Sequence, residues 1–160
     1  MWGSDLIAAG LRQVGFTVTS LNPGASYRGL HDSMVNYPDG QLDILTCLHD
    51  EHAVAVAHGW TKVTGRPALA MLHSNVGLLH ATMAIYNAWV DRAPVVIIGA
   101  GGPRDAARRR PWIEWIHTFQ DQAQLVRPYT KWDDQPASAI SAVRSIAQGT
   151  FLAMDGPKGP

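Results

Sequence analysis

Charge is scarce in this 160-residue chain: charged residues make up 16% of it, against roughly 25% in an average soluble domain. Thirteen Lys and Arg balance thirteen Asp and Glu. That neutrality excludes a nucleic-acid binder of the usual kind, because duplex binding draws its affinity from a basic surface that releases counterions. The one basic cluster, Arg108-Arg109-Arg110, lies between a Gly/Pro-rich stretch and an aromatic one and reads as a solvated loop before an anion site. Cysteine is almost absent, and Cys47 alone excludes an internal disulfide and a multi-thiolate zinc site. Long apolar runs are missing too. The start, Met1-Trp2-Gly3-Ser4-Asp5, has neither a basic nor an apolar leader segment, and the run Ala93 to Ala100 is broken by Pro94 and too short to cross a bilayer. These absences predict a soluble, cytoplasmic protein with no membrane contact. A chain that is 46% hydrophobic with so little charge is also expected to have part of its surface covered, as an oligomer or a piece of something larger.

What is present fits one domain of alternating strands and helices. Leu6, Ile7, Gly10, Leu11 and Val14 fall at helical spacing, with Ser4 as the expected N-cap and Gly15 as the stop. Thr17 to Leu21 is β-branched and runs into the turn Asn22-Pro23-Gly24, after which Ser26 to Asn36 reads as a helix. Leu42 to Leu48 reads as a buried strand, and Ala53, Val54, Val56, Ala57 and Trp60 as one helix face ended by Gly65-Arg66-Pro67. The unit repeats as strand Ala68 to Leu72, helix Val76 to Val90 and strand Val95 to Ile98. Gly99 to Pro111 reads as a loop, Trp112 to Phe119 as a short helix or turn, Val126 to Trp132 as a further strand and Pro136 to Met154 as a closing helix. Such alternation implies an α/β fold, an open doubly wound and mainly parallel sheet with helices on both faces. The closing segment Asp155 to Pro160 is turn material that would normally feed another strand, so residues 1–160 are expected to form one domain lacking its final strand.

Familiar phosphate loops are excluded. Gly99-Ala100-Gly101-Gly102-Pro103-Arg104 follows a strand, yet Arg104 stands where a dinucleotide loop needs its third glycine and Pro103 obstructs the helix start. Neither a Walker loop nor a Gly-x-Ser-x-Gly elbow is present, so Ser74 is not a hydrolase nucleophile by motif. His49-Asp50-Glu51-His52, with His58, is the densest ionisable cluster, but consecutive side chains diverge and the zincin spacing is not met. It lies where a strand meets a helix, and ligands of open α/β sheets bind outside the carboxyl ends of strands. A carboxylate capping the helix is the competing, purely structural reading. His73 ends the next strand and Pro23-Gly24 follows the first, so three strand ends offer an acid, a histidine and a bare backbone turn to one crevice.

These pieces, taken in order, resemble the N-terminal, pyrimidine-binding domain of thiamine-diphosphate-dependent enzymes, the superfamily of acetolactate synthase, pyruvate decarboxylase, benzaldehyde lyase and benzoylformate decarboxylase. The resemblance is carried by Asn22-Pro23-Gly24, the block from His49 to Gly59-Trp60 and on to Gly65-Arg66-Pro67, Leu72-His73-Ser74 through Gly77, Asn87-Ala88-Trp89 before Ala93-Pro94, and Phe119-Gln120-Asp121 ahead of Thr130-Lys131-Trp132. The wording is closest to the benzoylformate-decarboxylase-like and acetolactate-synthase-like members. In that family a glutamate nine residues before the glycine matching Gly59 hydrogen-bonds the cofactor's aminopyrimidine and so creates the nucleophile. Here that position is Asp50, one methylene shorter, with Glu51 after it. A loss of reach of roughly 1 Å can cost about a hundredfold in rate.

The resemblance further implies that His73 lies near substrate and relays protons, and that Pro23, Ser74 and Gly77 shape the cofactor wall. Ala25 matches a position that is polar and substrate-contacting in some relatives, which implies a permissive pocket with Ser26 next door. His80 stands where many relatives carry Asn, on the cofactor side. The family's diphosphate and magnesium are held by a second domain with a Gly-Asp-Gly…Asn motif, which this sequence does not contain, so no metal ligand is expected in this chain. A partner domain, in the same or another chain, and a homo- or hetero-oligomer acting on a 2-keto acid are therefore implied. The alternative is a non-catalytic or degenerate domain kept as an interaction or regulatory module.

Overall fold

The computed structural model describes residues 1–36, 42–103 and 105–160; Arg104 of the rejected glycine loop lies outside them. Among the described residues, four parallel strands, β1 (Val18–Leu21), β2 (Asp43–Thr46), β3 (Ala68–Leu72) and β4 (Val95–Gly99), stand in the order β2-β1-β3-β4. Register pairs Thr19 with Ile44 and with Leu69, and Ala70 with Ile97. The helices are α1 (Gly3–Val14), α2 (Arg28–Asn36), α3 (Asp50–Thr64), α4 (Ser74–Val90), the one-turn α5 (Ile113–Ile116) and α6 (Ala139–Met154).

Strand β3 explains the layering. All five of its residues are buried, and successive side chains point to opposite faces. Ala68, Ala70 and Leu72 join Ala53, Val54 and Ala57 of α3 and Leu78, Ala81, Ile85 and Ala88 of α4. Leu69 and Met71 join Ala8 and Leu11 of α1, Met34 of α2 and Ile146 of α6. Two cores thus back one sheet, the doubly wound arrangement expected from the alternation. Each fully buried Leu or Ile, such as Leu11, Leu69 or Ile85, contributes on the order of 1.5–3 kcal/mol through removal from water.

Helices α1 and α3 end where expected, at Gly15 and Gly65, both at positive φ. Four expectations need correction. Ser4 is not the N-cap of α1: the helix starts two residues earlier than that cap would place it, Trp2 caps it, and the Asp5 carboxylate accepts the Trp2 N–H at 2.7 Å. The buried strand expected over residues 42–48 is an exposed edge strand, because β2 ends the sheet; Leu45 and Leu48 face solvent. No strand forms over residues 126–132. Pro128 lacks the N–H a ladder needs, and Arg127 clamps Asp121 and Asp133 at 2.7–3.0 Å, so the chain closes into a 3₁₀ turn at Arg127–Tyr129. The last helix begins at Ala139, later than Pro136, because Ser138 caps it by accepting the Ser141 N–H.

Candidate functional site

The carboxyl ends of β1 and β3 and the start of α3 meet in a cluster of hydrogen bonds centred on Asp50. As the first residue of α3, after the cap His49, Asp50 is carried by a helix held down by Ala53 and Val54, and it is itself buried. Its two oxygens have separate donors: the Asn22 side-chain amide reaches Oδ2 at 2.8 Å, and the backbone N–H of His73 reaches Oδ1 at 2.8 Å. Asp50 therefore ties the turn after β1 to the end of β3. Glu51, the next residue, is exposed and its backbone N–H reaches the His49 ring at 3.4 Å, so the helix cap is His49 and not a carboxylate.

His73 occupies the junction of β3 and α4. Its Nδ1 lies 2.9 Å from Ser26 Oγ, on the turn after β1. Burial, then the neighbouring His117, lower its pKa from the ordinary 6.5, while Asp50 pulls the other way. Two glycines make this approach possible. A Cβ on Gly24 would overlap the His73 ring, and one on Gly77 would overlap Asp50 Oδ1 and stand 3.2 Å from the Leu72 carbonyl carbon. Ser74 opens α4 fully buried, with φ of 44°, and its hydroxyl donates to Asn75 Oδ1 at 3.0 Å. A non-glycine residue in that region stores on the order of 1–3 kcal/mol and persists only where its surroundings hold it.

The structure thus joins Asp50, His73, Ser26, Ser74 and Gly77. Pro23 and Ala25 lie on the same turn with exposed side chains. His80 does not join His73: it is exposed and packs edge-on against His49, ring centroids 4.6 Å apart, and His49 in turn lies 5.7 Å from His52. Three residues of the site escaped the sequence reading. Asn22 passed as a turn former, although an amide directly before Pro-Gly at a strand end is also placed to grip a neighbouring carboxylate. Tyr27 donates its hydroxyl to the Asn22 carbonyl, and burial followed by Asp50 pushes its phenol far above 10.0. His117, whose ring centroid is 5.3 Å from that of His73, comes from the distant α5 segment and carried no sequence signal.

A cavity of about 860 Å³ lies elsewhere, between β4, the segment from Gln122 to Ala137 and α6. Neither Asp50 nor His73 lines it, so the cavity does not mark the candidate site.

Comparison with known proteins agrees with this arrangement. Residues 1–126 match the family described as thiamine pyrophosphate enzyme, N-terminal TPP binding domain. The chain is 30% identical over 150 residues to benzoylformate decarboxylase of Pseudomonas aeruginosa, covering 94% of this chain and 27% of that protein. It is 26% identical over 161 residues to the acetolactate synthase large subunit of Lactococcus lactis, covering 99% of this chain and 26% of that one. Among solved structures, a thiamin diphosphate-dependent enzyme from Mycobacterium smegmatis superposes with a TM-score of 0.85 at 26% identity, over all of this chain and 29% of its own. The chain therefore spans about a quarter of the length of the relatives it matches, and it belongs to the thiamine pyrophosphate enzyme family as an N-terminal, cofactor-binding domain.

Proposed function

We propose that this domain is the pyrimidine-binding component of an enzyme that uses thiamine diphosphate on 2-keto acids or aldehydes, for decarboxylation, carbon–carbon lysis or carboligation such as acetolactate synthesis. The observation that carries the reading is the grip on Asp50. Each of its oxygens receives one donor, and a carboxylate has about four acceptor sites, so capacity remains for a ring N–H of the cofactor's pyrimidine. The donor set present thus fits the group, with an aspartate in the place of the family's glutamate. When bound, thiamine diphosphate supplies a carbon nucleophile that attacks the substrate carbonyl.

In this reading Asp50 accepts the pyrimidine hydrogen bond, while Pro23, Ser74 and Gly77 form the wall against which the ring rests. His73 moves a proton to or from the substrate side, and Ser26 fixes its ring through Nδ1. Ala25 leaves the substrate pocket roomy beside Ser26, which suits a bulky aromatic 2-keto acid such as the one named in the Pseudomonas aeruginosa relative. His80, held by His49, belongs to the rim of the cofactor site.

Mg²⁺ and the diphosphate are assigned to a partner domain, in the same or another chain of an oligomer. Helix α4 supports such a partner. It has no charged residue, and Val76, Leu79, Met83, Tyr86 and Val90 form an exposed stripe at three- and four-residue spacing. The cavity beside β4, an edge strand among the described residues, supports the reading that one more parallel strand pairs there. A cytoplasmic setting accords with the single cysteine, Cys47.

Calorimetric titration of thiamine diphosphate with Mg²⁺, into the chain alone and with a diphosphate-binding partner, tests the proposal. Binding that requires the partner, with turnover lost in Asp50→Ala, is the expected result. A well-folded protein that binds in no mixture would overturn it and leave the non-catalytic alternative.

A further inference from the structure

We infer that His117 is a positioning residue that works through His73, the two imidazoles forming a coupled pair over the start of α4. The inference rests on the reading of Asp50 and His73 as the working end of the site. Its basis is geometric. The ring centroids are 5.3 Å apart with planes inclined at 55°. His117 is not free to swing away, because its Nδ1 lies 2.8 Å from the Ile113 carbonyl. A carbonyl only accepts, so Nδ1 carries the hydrogen and Nε2 is left as the acceptor of the neutral ring. The segment itself is strapped to α4 by the Asn75 side-chain amide, which donates to the Ile116 carbonyl at 3.2 Å. A one-turn helix distant in sequence is thereby pinned where its histidine faces the end of β3.

His73 is faced on its other sides by Asp50 from α3, whose carboxylate favours the cation, and by Ser26 from the turn after β1, which has no charge. Two like charges at this separation repel in a half-buried setting, so a charge on His117 disfavours one on His73. Burial and His117 both lower the pKa of His73. The consequence is a His73 kept neutral, and able to accept a proton, at a pH where an isolated histidine is partly charged. Substrate protonation would then pass through His73 with His117 setting its readiness.

The test is a histidine titration by NMR on the full chain without cofactor, comparing it with His117→Phe and with His31→Gln as a control. At this distance, and in the high dielectric of a partly exposed, solvent-screened pair, the loss of a cationic neighbour corresponds to about 0.5–1 pH unit. The His73 midpoint should therefore rise by that amount in His117→Phe, a roughly three- to tenfold gain in proton affinity, and stay unchanged in His31→Gln. An unmoved His73 midpoint in a folded His117→Phe protein would overturn the inference. Because the chain is titrated without cofactor, failure of the thiamine reading would leave this result standing. In the enzyme assembled with its partner domain, the acid limb of kcat/KM should shift upward by a similar amount in His117→Phe. His117→Gln should shift it as well, because the amide carries no charge; restoration of the parent limb by Gln would also reject the pair.

Discussion

Gly77 lies so close to Asp50 that a Cβ at position 77 would overlap the carboxylate oxygen Oδ1 and come within 2.9 Å of Cγ. The backbone of Leu72 blocks retreat on the other side, at 3.2 Å. Helix α4 therefore approaches the start of α3 as nearly as it does only because residue 77 has no side chain. Gly77→Ala should displace Asp50 or open the α3–α4 contact, costing about 1–3 kcal/mol as overpacking does. Urea denaturation measures it, and an unchanged midpoint would show that the carboxylate has room to move. Thiamine diphosphate binding in the assembled enzyme should weaken in the same variant.

Asn22 is the only side chain found to donate to Asp50 Oδ2 among the described residues. Asn22→Leu keeps the volume similar and removes the donor, leaving a buried carboxylate oxygen short of a partner at a cost of about 1–3 kcal/mol. The loss should disappear in the background of Asp50→Leu, where nothing remains to be satisfied. A full and additive loss in the double variant would mean that Asn22 acts through the turn alone.

Stability should fall at both ends of the pH scale for reasons that two residues localise. His73 is held below 6.5 in the folded chain, so the unfolded chain binds that proton first as pH drops. Stability therefore declines as pH is lowered below about 6.5 and levels off once the folded histidine is protonated too. Tyr27 is held well above 10.0, so the unfolded phenol loses its proton first, and stability declines as pH rises past about 10. Chemical denaturation at stepped pH should show His73→Gln flattening the acid slope and Tyr27→Phe the alkaline one. Slopes that persist in these variants would place the titration elsewhere.

Arg127 bridges Asp121 and Asp133 on the surface, lowering the pKa of Asp121 through its hydrogen bond. This network holds the 3₁₀ turn that replaces the expected strand. Arg127→Met should weaken the fold modestly, and the difference from the parent protein should shrink as salt is raised from low to molar concentration. A salt-independent deficit would indicate packing of the side-chain stem.

The exposed stripe on α4 gives an assembly prediction. Leu79→Glu and Met83→Glu alter side chains that are 48% and 57% exposed, so the isolated chain should keep its melting temperature. Association with the partner domain, followed by analytical ultracentrifugation, should drop by at least tenfold. Unaltered association would move the interface off this helix.

Much of this protein is determined by local sequence. The apolar periodicity of residues 6–14 and 53–64, the glycine stops and the β-branched runs each fix an element, because they set how a short stretch can bury itself. The order of those elements then leaves few topologies open, and strand ends at Asp50, His73 and Pro23 mark one crevice. The tertiary structure alone decided matters that depend on neighbours remote in the chain. The exposure of β2 follows from its place at the sheet edge, and the failure of residues 126–132 to form a strand from ion pairs across a turn. Likewise the meeting of Asn22, Asp50, Ser26, His73 and His117 draws on four separate segments. No local pattern encodes such a meeting, because hydrogen-bond geometry at the site is set by where the sheet and two helix layers place the backbone, and only packing fixes that.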